Sequence, residues 1–220
     1  MPVQLSIDYI SDIACPWCAV GLASLELALQ RTAPSITAEI RFQPFELNPD
    51  MRPDGENLEA LLTSRYGGGT EQFAAMRNTL RARAAAVGLV INQDGSSRIY
   101  NTFAAHRLLH WAHASGRQLP LQRALFKANF TEGTNVSDEA VLVAAAAEAG
   151  LPAGEAREVL QSGRYAAQVR EAEKTWTGRG IRSVPAIIIN GKWLISGGQP
   201  PEAFEQALRE VAAQSAGDLN

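Results

Sequence analysis

Strand-forming sequence is confined to the two ends of this 220-residue chain, and that distribution limits its fold more than any other feature. Val3 to Ile10 and Ile36 to Phe42 alternate bulky or β-branched residues with others, and later strand signals occur only at Ala186–Asn190 and Lys192–Ile195, joined across Asn190-Gly191. Period-two alternation marks half-buried strands, and Asn-Gly is a strong short hairpin signal because both residues tolerate positive φ. Between the first two strands, Val20, Leu22, Leu25, Ala28 and Leu29 recur at helical spacing up to Gln30, and Pro34-Ser35 breaks the pattern. A strand, a helix and a strand within about forty residues favour a parallel pair in an α/β sheet.

From about residue 50 to 175 the pattern is helical. Helices are expected over Asn57–Tyr66, Thr70–Val87, Ile99–Ser115, Leu119–Phe130, Ser137–Ala149 and Gly154–Trp176, with a last one over Pro201–Ala213. Neither β-rich end holds enough strands to bury a sheet alone, so the two should join. The expected organisation is one α/β domain built from 1–50 and 176–220, with 51–175 inserted as a helical domain.

Composition narrows the function. Twenty Lys and Arg against 23 Asp and Glu leave a net charge of -3, so no basic footprint for nucleic acid or an anionic membrane is present. Residues 1–14 contain no Lys or Arg, and Asp8 and Asp12 interrupt the apolar run, so a secretory signal is not expected. The Ala140–Ala149 stretch is about half the length needed to span a bilayer. The expected location is the cytoplasm, where thiols are held mostly reduced.

The two cysteines lie at Cys15-Pro16-Trp17-Cys18, directly after the first strand and at the start of the first helix. A helix N-terminus offers unsatisfied N–H groups and the positive end of the macrodipole, which favour a thiolate. Lowering a thiol from about 8.5 to about 6 multiplies the thiolate present at neutral pH roughly thirtyfold. Pro16 suits the first helical position, leaving Cys15 as the cap that attacks and Cys18, one turn inward, to resolve the mixed disulfide. Half of a zinc site is a competing reading, but no second cysteine pair exists and the histidines are about ninety residues away. Two inert buried cysteines are another, and it leaves their place at a strand-to-helix turn unexplained.

These features resemble the DsbA family of the thioredoxin superfamily, most closely its FrnE-like branch. The matching stretches are Ser11-Asp12-Ile13-Ala14-Cys15-Pro16-Trp17-Cys18 with Gly21, Phe42-Gln43-Pro44-Phe45-Glu46-Leu47, Asn101-Thr102 with Ala105-His106-Arg107-Leu108, Gly180 to Pro185, and Ser196-Gly197-Gly198-Gln199. The resemblance implies an α/β thioredoxin fold with a large all-α insertion and a thiol–disulfide oxidoreductase, of reductase or isomerase type in a reducing compartment. It implies a cis Pro185 facing the sulfurs, substrate pairing at the Val184 backbone, and further substrate contacts at His106 and Asn101. Pro16 and Trp17 would tune the redox pair. Asp12 would move protons around Cys18, or else be a solvated strand-end carboxylate. No cofactor beyond the dithiol is implied, with glutathione as a candidate co-substrate. Partners would be a disulfide-bearing protein or a low-molecular-weight thiol, and a homodimer is compatible. The alternative is a glutathione-dependent isomerase or transferase acting on a small aromatic or polyketide substrate, like the hydroxychromene-carboxylate isomerases. Those relatives usually keep a single Ser or Cys where Cys15 stands.

Other residues are expected to stay out of the chemistry. His106, His110 and His113 lie on one helix stripe, the outer two about 10 Å apart along the axis, too far to share a metal ion. No metal site is expected. Arg77, Arg81 and Arg83 read as a solvated helix face.

Overall fold

In the computed structural model, which describes residues 2–217, the two ends of the chain meet in one four-stranded sheet. Strand β1 (Val3–Ser11), helix α1 (Pro16–Thr32) and strand β2 (Ile36–Pro44) form the opening unit, with β1 and β2 parallel and Val3 opposite Ile36. A helical excursion follows: a small pair of strands, β3 (Glu56–Asn57) and β4 (Arg98–Ile99), encloses α2 (Leu58–Tyr66) and α3 (Thr70–Ala85). Next come α4 (Phe103–His113), α5 (Gln118–Phe126), a π-helical turn (Lys127–Thr131), α6 (Glu139–Glu148), α7 (Ala153–Ser162) and α8 (Ala166–Gly178). The chain then returns through β5 (Ala186–Ile189) and β6 (Trp193–Ser196), both antiparallel to their neighbours, and ends in α9 (Pro201–Gly217). The strand order is β2-β1-β5-β6.

Alternation in β1 explains where the core lies. Leu5, Ile7 and Tyr9 are fully buried, in one cluster with Leu25 of α1 and Phe204 and Leu208 of α9. The alternation stops at Ile10, which packs with Trp176 and Ile181 on the opposite face, because the insertion covers only that end of the sheet. Each such aliphatic side chain contributes roughly 1.5–3 kcal/mol on burial. The exposed edge of β2 is blocked by Gln118, whose side chain accepts from Phe42 N at 3.1 Å and donates to Phe42 O at 3.3 Å. The 190–191 turn has positive φ at both Asn190 and Gly191, as an Asn-Gly hairpin requires.

Three helices differ from the sequence pattern. The helix expected over Gly154–Trp176 is broken into α7 and α8, with Gly163 and Tyr165 both left-handed between them. Arg107 of α4 fastens the break: its buried guanidinium donates to the carbonyls of Val159, Leu160 and Arg164 and so satisfies the end of α7. Helix α4 starts at Phe103 rather than Ile99, because Ile99 belongs to β4 and the Asn101 side chain accepts from Phe103 N at 2.9 Å. Helix α5 stops at Phe126, and the π-helical turn after it aims Asn129 at the Ile13 carbonyl, 2.8 Å away. Among the described residues, no helix is long and apolar enough to cross a membrane.

Candidate active site

Cys15 caps α1 in extended conformation, with Pro16 at the first helical position and no acidic residue in the first turn. Its thiol therefore lies on the positive end of the helix. Both cysteines are free thiols; Cys15 is 5% exposed and Cys18 is fully buried. Burial pushes the Cys18 thiol well above its ordinary range, and the neighbouring Cys15 adds to the rise. The two thiols thus differ: Cys15 reaches a cavity and Cys18 is buried behind it.

The turn that presents them is tied down from below. Asp12 is fully buried, and its carboxylate accepts from Ala14 N at 3.1 Å, Leu47 N at 2.6 Å and Thr102 Oγ1 at 2.7 Å. It thus joins the β1 end, the β2 exit and the α4 entry, and is not a solvated strand-end group. His106 Nε2 lies 3.7 Å from Asp12 Oδ1 with no hydrogen-bond partner. Burial alone would lower this imidazole; Asp12, Glu173 and Glu46 outweigh it and raise it. Below them Arg170 bridges Glu46 and Glu173, and its guanidinium lies 3.8 Å over the Phe103 ring. Burial, then the like charge of Glu173, pushes Glu46 up to about 7.

On the other side of the cysteines the Val184–Pro185 peptide is cis, and Cys15 Sγ donates to Val184 O at 3.5 Å. Two glycines permit this approach. A Cβ on Gly198 would stand 2.7 Å from Trp17 O, and one on Gly21 would stand 2.9 Å from Tyr9 Oη and 3.3 Å from Pro185 Cγ. Tyr9 Oη donates to Cys18 O at 2.7 Å in the core. A cavity of about 560 Å³ opens from Cys15, Pro16 and Trp17 toward α2 and α3, with largely apolar walls.

The residues singled out in the sequence are only partly gathered here. Cys15, Pro16 and Trp17 line the cavity, Cys18 lies behind them, and Val184 and Pro185 stand against Cys15 and Gly21. His106 and Asn101 do not reach this cavity. His106, only 2% exposed, faces Asp12, while Asn101 donates to Met51 O at 3.1 Å and accepts from Phe103 N, just before α4. Of the α3 arginines Arg81 is solvent-exposed and Arg77 and Arg83 are half-buried, and all three are tied to other segments. Arg77 pairs with Glu59 at 3.0 Å, Arg81 donates to the carbonyls of Ile91 and Gln93, and Arg83 reaches Gly198 O at 3.3 Å. Tyr9, Thr102, Asn129 and the Glu46–Arg170–Glu173 cluster were not foreseen as site residues. Apart from the i,i+3 pair Arg170–Glu173, their partners lie 9 to 124 residues away, where no local pattern marks them. Among the described residues no group of three or more His, Cys, Asp or Glu is placed to hold a metal ion.

A thioredoxin-type sheet with a helical insertion and a dithiol at its first helix defines the class. Residues 6–209 match the DSBA-like thioredoxin domain, and the chain belongs to that family. A solved probable DsbA oxidoreductase of Streptomyces coelicolor is 37% identical, covering 94% of this chain and 89% of that one with a TM-score of 0.87. YwbO of Bacillus subtilis is 27% identical over 209 residues, 94% of this chain and 98% of its own. Two solved structures share the fold at lower identity. They are the cytosolic disulfide reductase DsbM of Pseudomonas aeruginosa (16%, TM-score 0.66, covering 95% and 99%) and a 2-hydroxychromene-2-carboxylate isomerase (15%, 0.67, covering 98% and 99%). The chain is thus a DsbA-like protein of the thiol–disulfide oxidoreductase type.

Proposed function

We propose that the protein is a cytoplasmic, FrnE-like thiol–disulfide reductase or isomerase working through Cys15 and Cys18. The supporting observation is the pairing of a cavity-facing Cys15 at a helix N-terminus with a fully buried Cys18 one turn behind it. In the forward step the Cys15 thiolate attacks a substrate disulfide; a Cys15–substrate disulfide forms and the first substrate thiol leaves. Cys18 then gives up its proton, attacks Cys15 sulfur and releases the second thiol. Two electrons pass to the substrate and the dithiol becomes a disulfide. Two equivalents of a low-molecular-weight thiol restore it; DsbM, a fold relative, has been solved with glutathione, and glutathione suits this role. Asp12, fully buried, is assigned proton transfer around Cys18, and the Val184 backbone the pairing with an extended substrate once Cys15 releases its carbonyl.

The glutathione-dependent isomerase reading is kept because the cavity is of small-molecule size and the isomerase shares the fold. Turnover of a glutathione mixed disulfide separates the two. The dithiol reading expects Cys15→Ser to abolish turnover and Cys18→Ser to stall with substrate bonded to Cys15. Glutathione-dependent conversion of a small aromatic substrate that survives Cys18→Ser would favour the isomerase.

A further inference from the structure

The cavity at Cys15 has a chemical character of its own. Helix α2 carries Leu58, Leu61 and Leu62 on one face, at the spacing that normally buries a helix, yet none of its residues is buried. That face is turned to the cavity, opposite Phe73 and Leu80 of α3, and Met76 at 53% and Tyr66 at 77% exposure extend the apolar lining outward. A volume of about 560 Å³ is in the range of enclosed sites for small ligands rather than for a folded partner.

The charged lining is predominantly positive. Four arginines, Arg65, Arg77, Arg81 and Arg98, and a single glutamate, Glu59, line it in a chain whose net charge is -3. Glu59 is already paired with Arg77 at 3.0 Å. Arg81 and Arg98 donate to neutral backbone carbonyls, and neither they nor Arg65 form an ion pair among the described residues. Guanidinium groups without carboxylates beside an apolar cavity suit a ligand with an apolar body and an acidic end.

We propose that this cavity selects anionic low-molecular-weight disulfides with an aromatic or alkyl body, held by the α2–α3 apolar wall and the uncompensated arginines with the disulfide at Cys15. This rests on the dithiol reading above and names its substrate class; the bond changes are those already written.

The test compares reduced protein reacting with 5,5′-dithiobis(2-nitrobenzoate), 4,4′-dithiodipyridine and bis(2-hydroxyethyl) disulfide. Each rate is divided by that of the same disulfide with 2-mercaptoethanol, which removes intrinsic reactivity. The expected order is anionic aromatic, neutral aromatic, neutral small, spanning about tenfold or more. Arg65→Gln should narrow the first gap about threefold, the size of one solvent-facing ion pair, and added salt should do the same. Leu62→Asp should narrow the second gap, since it places a charge in the apolar wall. Normalised rates that agree within twofold, or ratios indifferent to both variants, would overturn the proposal while leaving the dithiol reading intact. Should no disulfide react, calorimetry on the Cys15→Ser/Cys18→Ser protein decides separately. The proposal expects 4-phenylbutanoate to bind at least about threefold tighter than 4-phenylbutan-1-ol and to lose that margin in Arg65→Gln. Equal binding, or none, overturns it.

Discussion

Glu46 makes the stability of this protein depend on pH in a direction opposite to that of an ordinary paired carboxylate. Its side chain is 2% exposed, one oxygen is bonded to Arg170 and the other has no partner, and Glu173 stands beside it on the same arginine. Burial and then Glu173 carry its titration from 4.5 to about 7, with Arg170 and His106 pulling back. The folded state therefore holds a proton that the unfolded chain has already released. The resulting stability is complete below the unfolded value and is lost as pH rises through about 7. A rise from 4.5 to about 7 would correspond to about 3 kcal/mol. Water that reaches the cluster beside Arg170, which is 47% exposed, lessens the desolvation of the ionised carboxylate and screens Glu173, so about 1–2 kcal/mol is expected. His106 is raised as well, so it adds in the same direction, whereas His110, lowered by burial and then by His113, opposes. Urea unfolding at pH 5, 6, 7 and 8 on the native protein and on Glu46→Gln isolates the effect. Relative to the variant, the native protein should lose about 1–2 kcal/mol between pH 5 and 8. Parallel curves, or a native protein that gains stability over that range, would refute the assignment.

Gly198→Ala should destabilise the protein by about 1–3 kcal/mol and slow its reaction with disulfides, because the new Cβ would stand 2.7 Å from Trp17 O; urea melts and stopped-flow thiol kinetics read both. Arg107→Ala should cost about 2–4 kcal/mol in urea unfolding, since it removes the donor to the Val159 and Leu160 carbonyls at the end of α7 and to Arg164 O beyond it. Tyr9→Phe should cost about 1 kcal/mol through loss of its bond to Cys18 O, with the thermal midpoint falling accordingly.

What was legible in the sequence was local. The Cys15 cap with Pro16 behind it, the 190–191 turn and the alternation of Leu5, Ile7 and Tyr9 each depend on residues within a few positions, and each is present. What was hidden depends on distant partners. Gly163 alone does not announce a helix break inside a helical pattern, because Arg107, more than fifty residues earlier, supplies the donors that stabilise it. Asp12 has the look of a strand-end carboxylate until Leu47 after β2 and Thr102 and His106 at the start of α4 close over it from two distant segments. The same holds for the α3 arginines, whose acceptors lie at Glu59, in the 91–93 segment and at Gly198. Apolar periodicity marked α2 as a helix, but it could not say that its apolar face looks into a cavity rather than a core.

Equilibration against graded glutathione redox buffers, with acid trapping and mass measurement of the products, tests the central claim most directly. The dithiol account predicts one intramolecular disulfide between Cys15 and Cys18, both thiols disappearing together, at a potential between about −120 and −270 mV. A glutathione adduct on Cys15 with Cys18 still free across the series, or no reaction at all, would contradict it.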